Sequence, residues 1–155
     1  MRITDYLTKN DIKINLIGRS KQDIIEEMVA FMVSKHPEIK GKEALAKVLE
    51  RESLETTGIG EGVAIPHARL DCLDDLQIVC GSVPDGADFK SLDDKPVKIV
   101  FLILYPEDQI SLQIRFLARV SRLLHVSGLK NRLFASKSSD ELYEVLKNFE
   151  DTHFH

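Results

Sequence analysis

The sequence predicts an α/β fold in which a mixed, largely parallel central sheet is flanked by helices. Segments with the period-two alternation of strands take turns along the chain with segments that have the apolar periodicity of helices. The strand predicted at residues 97–104 overlaps the apolar run from Ile99 to Tyr105, which is typical of a strand that is buried on both faces. The chain has 155 residues, of which 43% are hydrophobic, and we expect residues 1–155 to form a single domain with a substantial core.

The first third of the chain has the signals of one strand and two helices. Residues 12–17 alternate with period two and predict a strand. Ser20 is expected to cap a helix with a broad apolar stripe, and His36–Pro37 is expected to end it. Residues 42–53 predict a second helix.

The second half of the chain predicts a further strand at residues 76–83, the buried strand already described, and three helices. We expect Asp108 to cap a long helix that reaches about Leu124, residues 127–134 to form a short helix, and Ser138 to open the last one. The stripes expected to face the core are Ile110, Ile114, Leu117 and Leu124 in the first of these helices and Leu142, Val145, Leu146 and Phe149 in the last.

The charge and the apolar pattern exclude two broad classes of protein. The 21 Lys+Arg and 25 Asp+Glu give a formal net charge of -4, which argues against a general nucleic-acid binder. No segment approaches the roughly 20 apolar residues that cross a bilayer, and the N-terminus lacks a signal-peptide pattern. Cys72 and Cys80 form no CxxC motif, so we expect a cytoplasmic protein with reduced thiols and no membrane insertion. No cofactor is expected, and both a monomer and a dimer remain open.

Three glycines at alternate positions, Gly58, Gly60 and Gly62, lie in a loop at residues 56–62 before a short strand at residues 63–65. Successive amides in such a loop can point into one concavity and bind an anion. The spacing lacks the Gly-Lys-Ser/Thr of a Walker A loop, and a strand follows instead of the helix of a dinucleotide-binding motif. Taken alone, the loop favours a tight corner in the chain.

His67 follows that short strand, and Pro66 before it restricts the backbone that positions it. A neutral imidazole is a good nucleophile near pH 7 and can carry a covalent group. A phosphoryl group on its ring would need donors, which the amides of Gly58 and Gly60 and a nearby guanidinium could supply. The alternative is that His67 is a structural or merely exposed residue.

Three segments together, Arg51–Glu52, Thr57–Gly60 and Val63–His67, resemble the signature of the fructose/mannitol-type IIA proteins of the bacterial phosphoenolpyruvate-dependent phosphotransferase system. The resemblance covers essentially the whole chain and is closest to the nitrogen-regulatory branch. It implies the family's mixed sheet flanked by helices, phosphorylation of His67 on Nε2, and contact between Arg51 and the phosphoryl group. The donor that it implies is phosphorylated HPr or its nitrogen-branch counterpart.

Gln113 departs from the family pattern, in which a second active-site histidine often begins the helix after the buried strand. A glutamine can still donate a hydrogen bond to phosphate, but it carries neither charge nor proton at neutral pH. We expect phosphate acceptance to survive, because phosphoryl transfer depends mostly on positioning and electrostatics. The rate of onward transfer or the phosphohistidine lifetime is expected to differ.

Two roles fit the resemblance. The first is a regulator that binds partner proteins according to the phosphorylation of His67. The second is a transport component that passes phosphate to a cysteine of a fructose- or mannitol-type IIB domain. The 155 residues contain no IIB or membrane segment, which fits a free-standing regulator. Gln113 also favours regulation, because a regulator does not need fast onward transfer.

Other polar residues have alternative interpretations. Arg69 and Arg115 either add positive charge around the histidine or are solvated surface residues. Glu61 either orients an arginine or the imidazole, or points to solvent. Ile59 and Val63 are expected to pack in the core.

A metal site has little support in the sequence, and none is expected. A zinc site of His67, Cys72 and Cys80 is conceivable, but its spacing matches no standard pattern. The other histidines, which belong to no convincing ligand set, are His36, His125, His153 and His155.

Overall fold

The computed structural model describes residues 2–154, whose six strands form one mixed sheet. The strands are β1 (Ile12–Lys13), β2 (Gly58–Gly60), β3 (Val63–Ala64), β4 (His67–Arg69), β5 (Gln77–Ala87) and β6 (Val97–Tyr105). Their order is β1-β5-β6-β3-β2, and β4 also pairs with β6, beyond the end of β3. The pairs β1–β5, β3–β6 and β4–β6 are parallel, whereas β5–β6 and β2–β3 are antiparallel.

The part of the chain that the structure describes has five α-helices around the sheet: α1 (Lys21–Lys35), α2 (Gly41–Leu54), α3 (Ile110–Leu124), α4 (Leu129–Ala135) and α5 (Ser139–His153). The predicted caps of α1 and α5 are confirmed, since the side chain of Ser20 accepts from the amide of Asp23 and that of Ser138 from the amide of Glu141. The predicted α/β fold with a mixed sheet and flanking helices is confirmed. None of the helices in residues 2–154 is long and apolar enough to cross a membrane.

The core has one apolar layer on each face of the sheet, and the side-chain alternation of β6 separates them. Val100, Leu102 and Leu104 join the layer under α1 and α2. Ile99, Phe101 and Ile103 join the layer under α3, α4 and α5. Burial on both faces accounts for the continuous apolar run of this strand.

Two local predictions near α3 are wrong. Asp108 does not cap the helix; it lies in a 3₁₀ turn, Glu107–Gln109, that precedes it. The predicted apolar stripe is wrong at Ile110 and Ile114, which are 41% and 58% exposed, and right at Leu124, which is buried. The helix also buries Gln113, Phe116, Val120 and Leu123. The apolar residues of α3 therefore cover more than one face, and some of them are left at the surface.

The predicted strand at residues 12–17 is shorter than expected. Pairing ends at Lys13, and Asn15 has a φ of 62°, which turns the chain out of the extended conformation. The amide of Leu16 still donates to the carbonyl of Ser82 at 2.8 Å, so the segment stays beside β5.

A buried carboxylate attaches the start of the chain to the last helix. Glu150 is fully buried, and its carboxylate accepts from the amides of Ile3 at 2.7 Å and Thr4 at 3.0 Å. It also accepts from the hydroxyl of Thr4 at 3.0 Å. These donors satisfy a charge that would otherwise be costly to bury.

We expect Glu150→Gln to lower the free energy of unfolding by about 2 kcal/mol. The substitution removes the charge that strengthens these hydrogen bonds, and it puts an NH₂ group, which cannot accept, opposite a backbone N–H donor. Urea denaturation measures this. Glu144→Gln, which makes the same change at an exposed position of α5, should change the free energy by less than about 0.5 kcal/mol. Equal effects of the two variants would show that the buried carboxylate does not hold the N-terminal segment.

Candidate functional site

The imidazole of His67 lies at the start of β4, where His67 pairs with Ile103 of the central strand. Pro66 separates β3 from β4, and its carbonyl accepts from the amide of Ile103 at 3.1 Å. The ring Nδ1 lies 2.9 Å from the carbonyl oxygen of Ile65. A carbonyl oxygen can only accept, so Nδ1 carries the proton and Nε2 keeps its lone pair.

The surroundings of His67 favour the neutral ring. Burial lowers the pKa of the half-buried imidazole below its ordinary value of 6.5, and the positive charge of Arg51 lowers the pKa further. The hydrogen bond to Ile65 and the negative charge of Glu52 act in the opposite direction. The net effect leaves a neutral nucleophile at neutral pH.

His67 opens into a cavity of about 350 Å³ between α2, β4 and the start of α3. Its lining contains Lys47, Glu50, Arg51, Leu54, His67, Ala68, Arg69, Tyr105 and Ile110. The cationic side chains outnumber the single carboxylate of Glu50. The cavity is therefore suited to a small anionic group beside the nucleophile.

Arg51 and Glu52 are neighbours on α2 with different tasks. One nitrogen of the Arg51 guanidinium donates to the carbonyl of Glu55 at 2.8 Å, which leaves other N–H groups for an anion. Glu52 is buried and accepts from the amide and hydroxyl of Thr57 at 2.8 and 2.6 Å. It also pairs with Lys21 at 3.1 Å. Glu52 thus fixes the chain between α2 and β2, close to the helical turn that carries Arg51.

The glycine loop forms a β-hairpin. Gly58 and Gly60 lie in β2, and Gly60, Glu61 and Gly62 have φ values of 96°, 57° and 87°, as the tight turn to β3 requires. The amide of Gly58 donates to the hydroxyl of Thr56 at 3.1 Å.

The expected phosphate-binding role of the two glycines finds no geometric support. Neither Gly58 nor Gly60 is among the residues that line the His67 cavity. A carboxylate, that of Asp93, lies beside Gly60 and accepts from the amide of Glu61 at 2.8 Å. The amide of Glu61 at the turn therefore already has an anionic partner within the protein.

Of the other candidate neighbours of His67, the structure brings Arg69 to the cavity but not Arg115 or Gln113. Arg69 lines the His67 cavity and pairs with Asp71 at 3.7 Å and Glu107 at 3.6 Å. Arg115 is exposed on α3 and lines a different cavity, which favours the second of its two interpretations, a solvated surface residue. Gln113 is buried on α3 at 5% exposure and is not among the residues that line the His67 cavity, so its expected contact with phosphate also finds no geometric support. None of the side-chain hydrogen bonds formed among residues 2–154 involves its side-chain amide.

Glu61 follows one of its two interpretations, a position at the surface, whereas Ile59 differs from expectation. Glu61 pairs with Lys130 at 2.5 Å on the hairpin turn and orients neither Arg51 nor His67. Ile59 is 46% exposed, whereas Val63 is fully buried as predicted. The alternation of β2 explains the difference, because the two glycines face inward and Ile59 faces outward.

Six of the residues that line the cavity were not predicted as part of the site: Lys47, Glu50, Leu54, Ala68, Tyr105 and Ile110. Lys47 had a usable signal, since it precedes Arg51 by four residues and so lies on the same face of α2. The position of Tyr105 depends on its register with Arg69 across β4 and β6, and that of Ile110 on the direction of α3; neither follows from local pattern.

The structure also bears on the conceivable zinc site. Cys80 is fully buried in β5, and burial raises the pKa of its thiol, so it does not supply a ligand thiolate. Within residues 2–154, no group of three or more His, Cys, Asp or Glu side chains is placed to hold a metal ion. His155 lies outside the described residues.

Comparison with known proteins relates the chain to a family. Residues 5–149 match the model of the phosphoenolpyruvate-dependent sugar phosphotransferase system, EIIA 2. The chain is 36% identical over 149 residues to a nitrogen regulatory protein of Bradyrhizobium diazoefficiens, covering 94% of this chain and 95% of the relative. It is 35% identical over 147 residues to the fructose-specific EIIABC component of Bacillus subtilis, covering 94% of this chain but only 23% of that longer protein.

Solved structures agree on the fold. Nitrogen regulatory protein IIA-Ntr from Neisseria meningitidis superimposes with a TM-score of 0.85 at 24% identity, over 93% of this chain and 98% of that one. IIA mannitol from Escherichia coli gives a TM-score of 0.77 at 23% identity, over 90% of this chain and 98% of that one. A match to nearly the whole sequence, relatives above 30% identity and a shared fold together place the chain in the EIIA type-2 family of the phosphotransferase system.

Proposed function

We propose that the chain accepts a phosphoryl group on Nε2 of His67 from a phosphorylated HPr-type carrier, and that it acts as a nitrogen-regulatory-type signalling protein. The observation that carries the proposal is the hydrogen bond from Nδ1 of His67 to the carbonyl of Ile65, 2.9 Å long, beside a cavity that contains Arg51. Family membership supports a phosphotransfer role at a coarse level.

The transfer step needs no cofactor. The lone pair of Nε2 forms the new P–N bond while the P–N bond to the donor histidine breaks, and the donor ring recovers its electron pair. The Nδ1 proton of His67 stays in place, and its hydrogen bond to Ile65 stabilises the positive charge that develops on the ring. Arg51 supplies N–H donors for the phosphoryl oxygens.

Phosphorylation would act as a local electrostatic switch. It adds about two negative charges to a cavity edged by exposed apolar side chains, Leu54 at 79% and Ile110 at 41% exposure. A partner that covers these side chains loses affinity when phosphorylated His67 beneath it becomes charged. A partner that places a cation over His67 gains affinity. The site can therefore report its phosphorylation state to another protein.

Gln113 favours regulation over transport. Its side chain is buried on α3, and its uncharged amide can donate hydrogen bonds but carries no positive charge to stabilise a transferring phosphoryl group. The second candidate function is transfer to a sugar-specific IIB domain, which the fructose-specific relative favours. A mannitol IIA of E. coli has been solved in complex with phosphorylated IIB, and its fold matches this chain with a TM-score of 0.77 at 23% identity.

Incubation with phosphoenolpyruvate, enzyme I and HPr, or with the nitrogen-branch counterparts, tests acceptance by intact mass. We expect the wild type to gain one phosphoryl group and His67→Ala to gain none. His125→Ala, which removes an exposed histidine at the end of α3, is the matched control and should react like the wild type. Loss in both variants, or no gain by the wild type with either donor, would refute phosphorylation of His67.

The pH dependence of the His67 ring follows from the direction of its pKa shift. The nucleophile is the neutral form, so reactivity persists at high pH and is lost as the pH falls through a pKa below 6.5. Arg51→Gln removes a charge that lowers the pKa and should move the midpoint upward. NMR titration of the His67 Cε1–H signal measures it, with Lys42→Gln at the other end of α2 as the control. A wild-type midpoint above 6.5, or a downward shift in Arg51→Gln, contradicts the account.

Onward transfer separates the two candidate functions. With a fructose-type IIB domain as acceptor, we expect slow discharge of the phosphorylated wild type and at least about tenfold faster discharge of Gln113→His, because a protonated ring can stabilise the charge on the transferring phosphoryl group and an uncharged amide cannot. Gln113→Leu is the control for repacking and should not accelerate discharge. Fast discharge of the wild type favours transport, and identical kinetics of wild type and Gln113→His remove the role assigned to Gln113.

A further inference from the structure

The outer face of α3 carries a concentration of positive charge that the His67 site does not use. Arg115, Arg119 and Arg122 lie on successive turns, and we call these three residues the arginine face. The helix Ile110–Leu124 contains no Asp or Glu. The chain as a whole has a formal net charge of -4, so this positive charge is a local feature.

The three side chains surround one small cavity. It has a volume of about 250 Å³ and is lined by the arginine face and by Ala118. The methyl group of Ala118 leaves room between the longer side chains. This cavity shares no lining residue with the His67 cavity, to which α3 contributes Ile110.

The guanidinium groups are held in place from one side. The Cζ atoms of Arg119 and Arg122 lie 4.4 and 5.2 Å from the ring centroid of Phe154. Cation–π contact engages the face of a guanidinium and leaves its N–H edges free for a ligand. The guanidinium groups of Arg119 and Arg122 are therefore ordered before any ligand binds.

The positive charge of the arginine face has no acidic partner among the ion pairs of residues 2–154. None of the ion pairs formed among residues 2–154 includes a member of the arginine face. Arg115 and Arg119 are four residues apart, a spacing at which like charges repel each other and destabilise a helix. A bound anion would convert this repulsion into attraction.

We propose that the arginine face binds a small soluble anion with two linked phosphoryl groups. Guanidinium forks match phosphate oxygens in pairs, and three of them around one cavity match a compact group with several charges. The volume of about 250 Å³ is below the usual range for a whole drug-sized ligand, so the diphosphate group enters and the remainder of a larger molecule stays outside. The site is separate from His67 and is independent of its phosphorylation.

Inorganic pyrophosphate is the probe, titrated into the full chain by calorimetry and by ¹H–¹⁵N NMR. We expect one saturable site, shifts centred on residues 115–122, and affinity that falls with added salt. Arg115→Gln/Arg122→Gln should weaken binding at least tenfold. Lys13→Gln/Lys137→Gln removes the same charge from two exposed positions and should bind like the wild type. His67→Ala should also bind like the wild type, which separates this site from the phosphorylation site.

Three results would overturn the proposal. The first is no saturable binding of pyrophosphate by the folded wild type, and the second is equal weakening by the two double variants, which would indicate diffuse electrostatics. The third is equal affinity of Arg115→Lys/Arg122→Lys and the wild type, because lysine keeps the charge but loses the paired N–H geometry. Orthophosphate is the ligand control and should bind at least tenfold more weakly than pyrophosphate.

Discussion

The hydrogen bond between Nδ1 of His67 and the carbonyl oxygen of Ile65 determines the chemistry that this site can perform. It spans only the one residue Pro66, and it places the ring proton on the nitrogen that faces the backbone. The free lone pair is then on Nε2, the nitrogen that we assign to the phosphoryl group. The surrounding fold keeps this short contact in place, because β3 and β4 both pair in parallel with the buried strand β6.

Charge and burial act on the same ring from different elements. Burial and Arg51 lower the pKa of His67, while Glu52, the next residue along α2, raises it. Glu52 is held by Thr57 and Lys21, so its position depends on the contact between α2, the hairpin and the start of α1. The protonation state of the nucleophile is thus linked to the packing of three elements.

Local pattern was sufficient for much of the fold, because period, caps and the buried apolar run predicted the layered arrangement. It was not sufficient for the site: it left His67 with a structural alternative, and the roles assigned to His67 and Arg51 came from the resemblance to a family signature. The failures have a common physical cause, which is that tertiary contacts choose among local alternatives. Alternate glycines are compatible with an anion-binding loop and with a tight corner, and pairing with β3 makes the corner a hairpin. An apolar set with helical spacing does not reveal that Ile110 and Ile114 remain exposed.

The most direct measurement of the central claim is the tautomer of His67 before phosphorylation and the position of the phosphorus afterwards. Long-range ¹H–¹⁵N correlation spectra of the ring at neutral pH distinguish a protonated Nδ1 from a protonated Nε2, and a ³¹P-coupled spectrum of the phosphorylated protein identifies the bonded nitrogen. We predict a neutral ring with its proton on Nδ1, and phosphorus on Nε2 with the Nδ1 proton retained. A neutral ring protonated on Nε2, or phosphorus on Nδ1, would contradict the account.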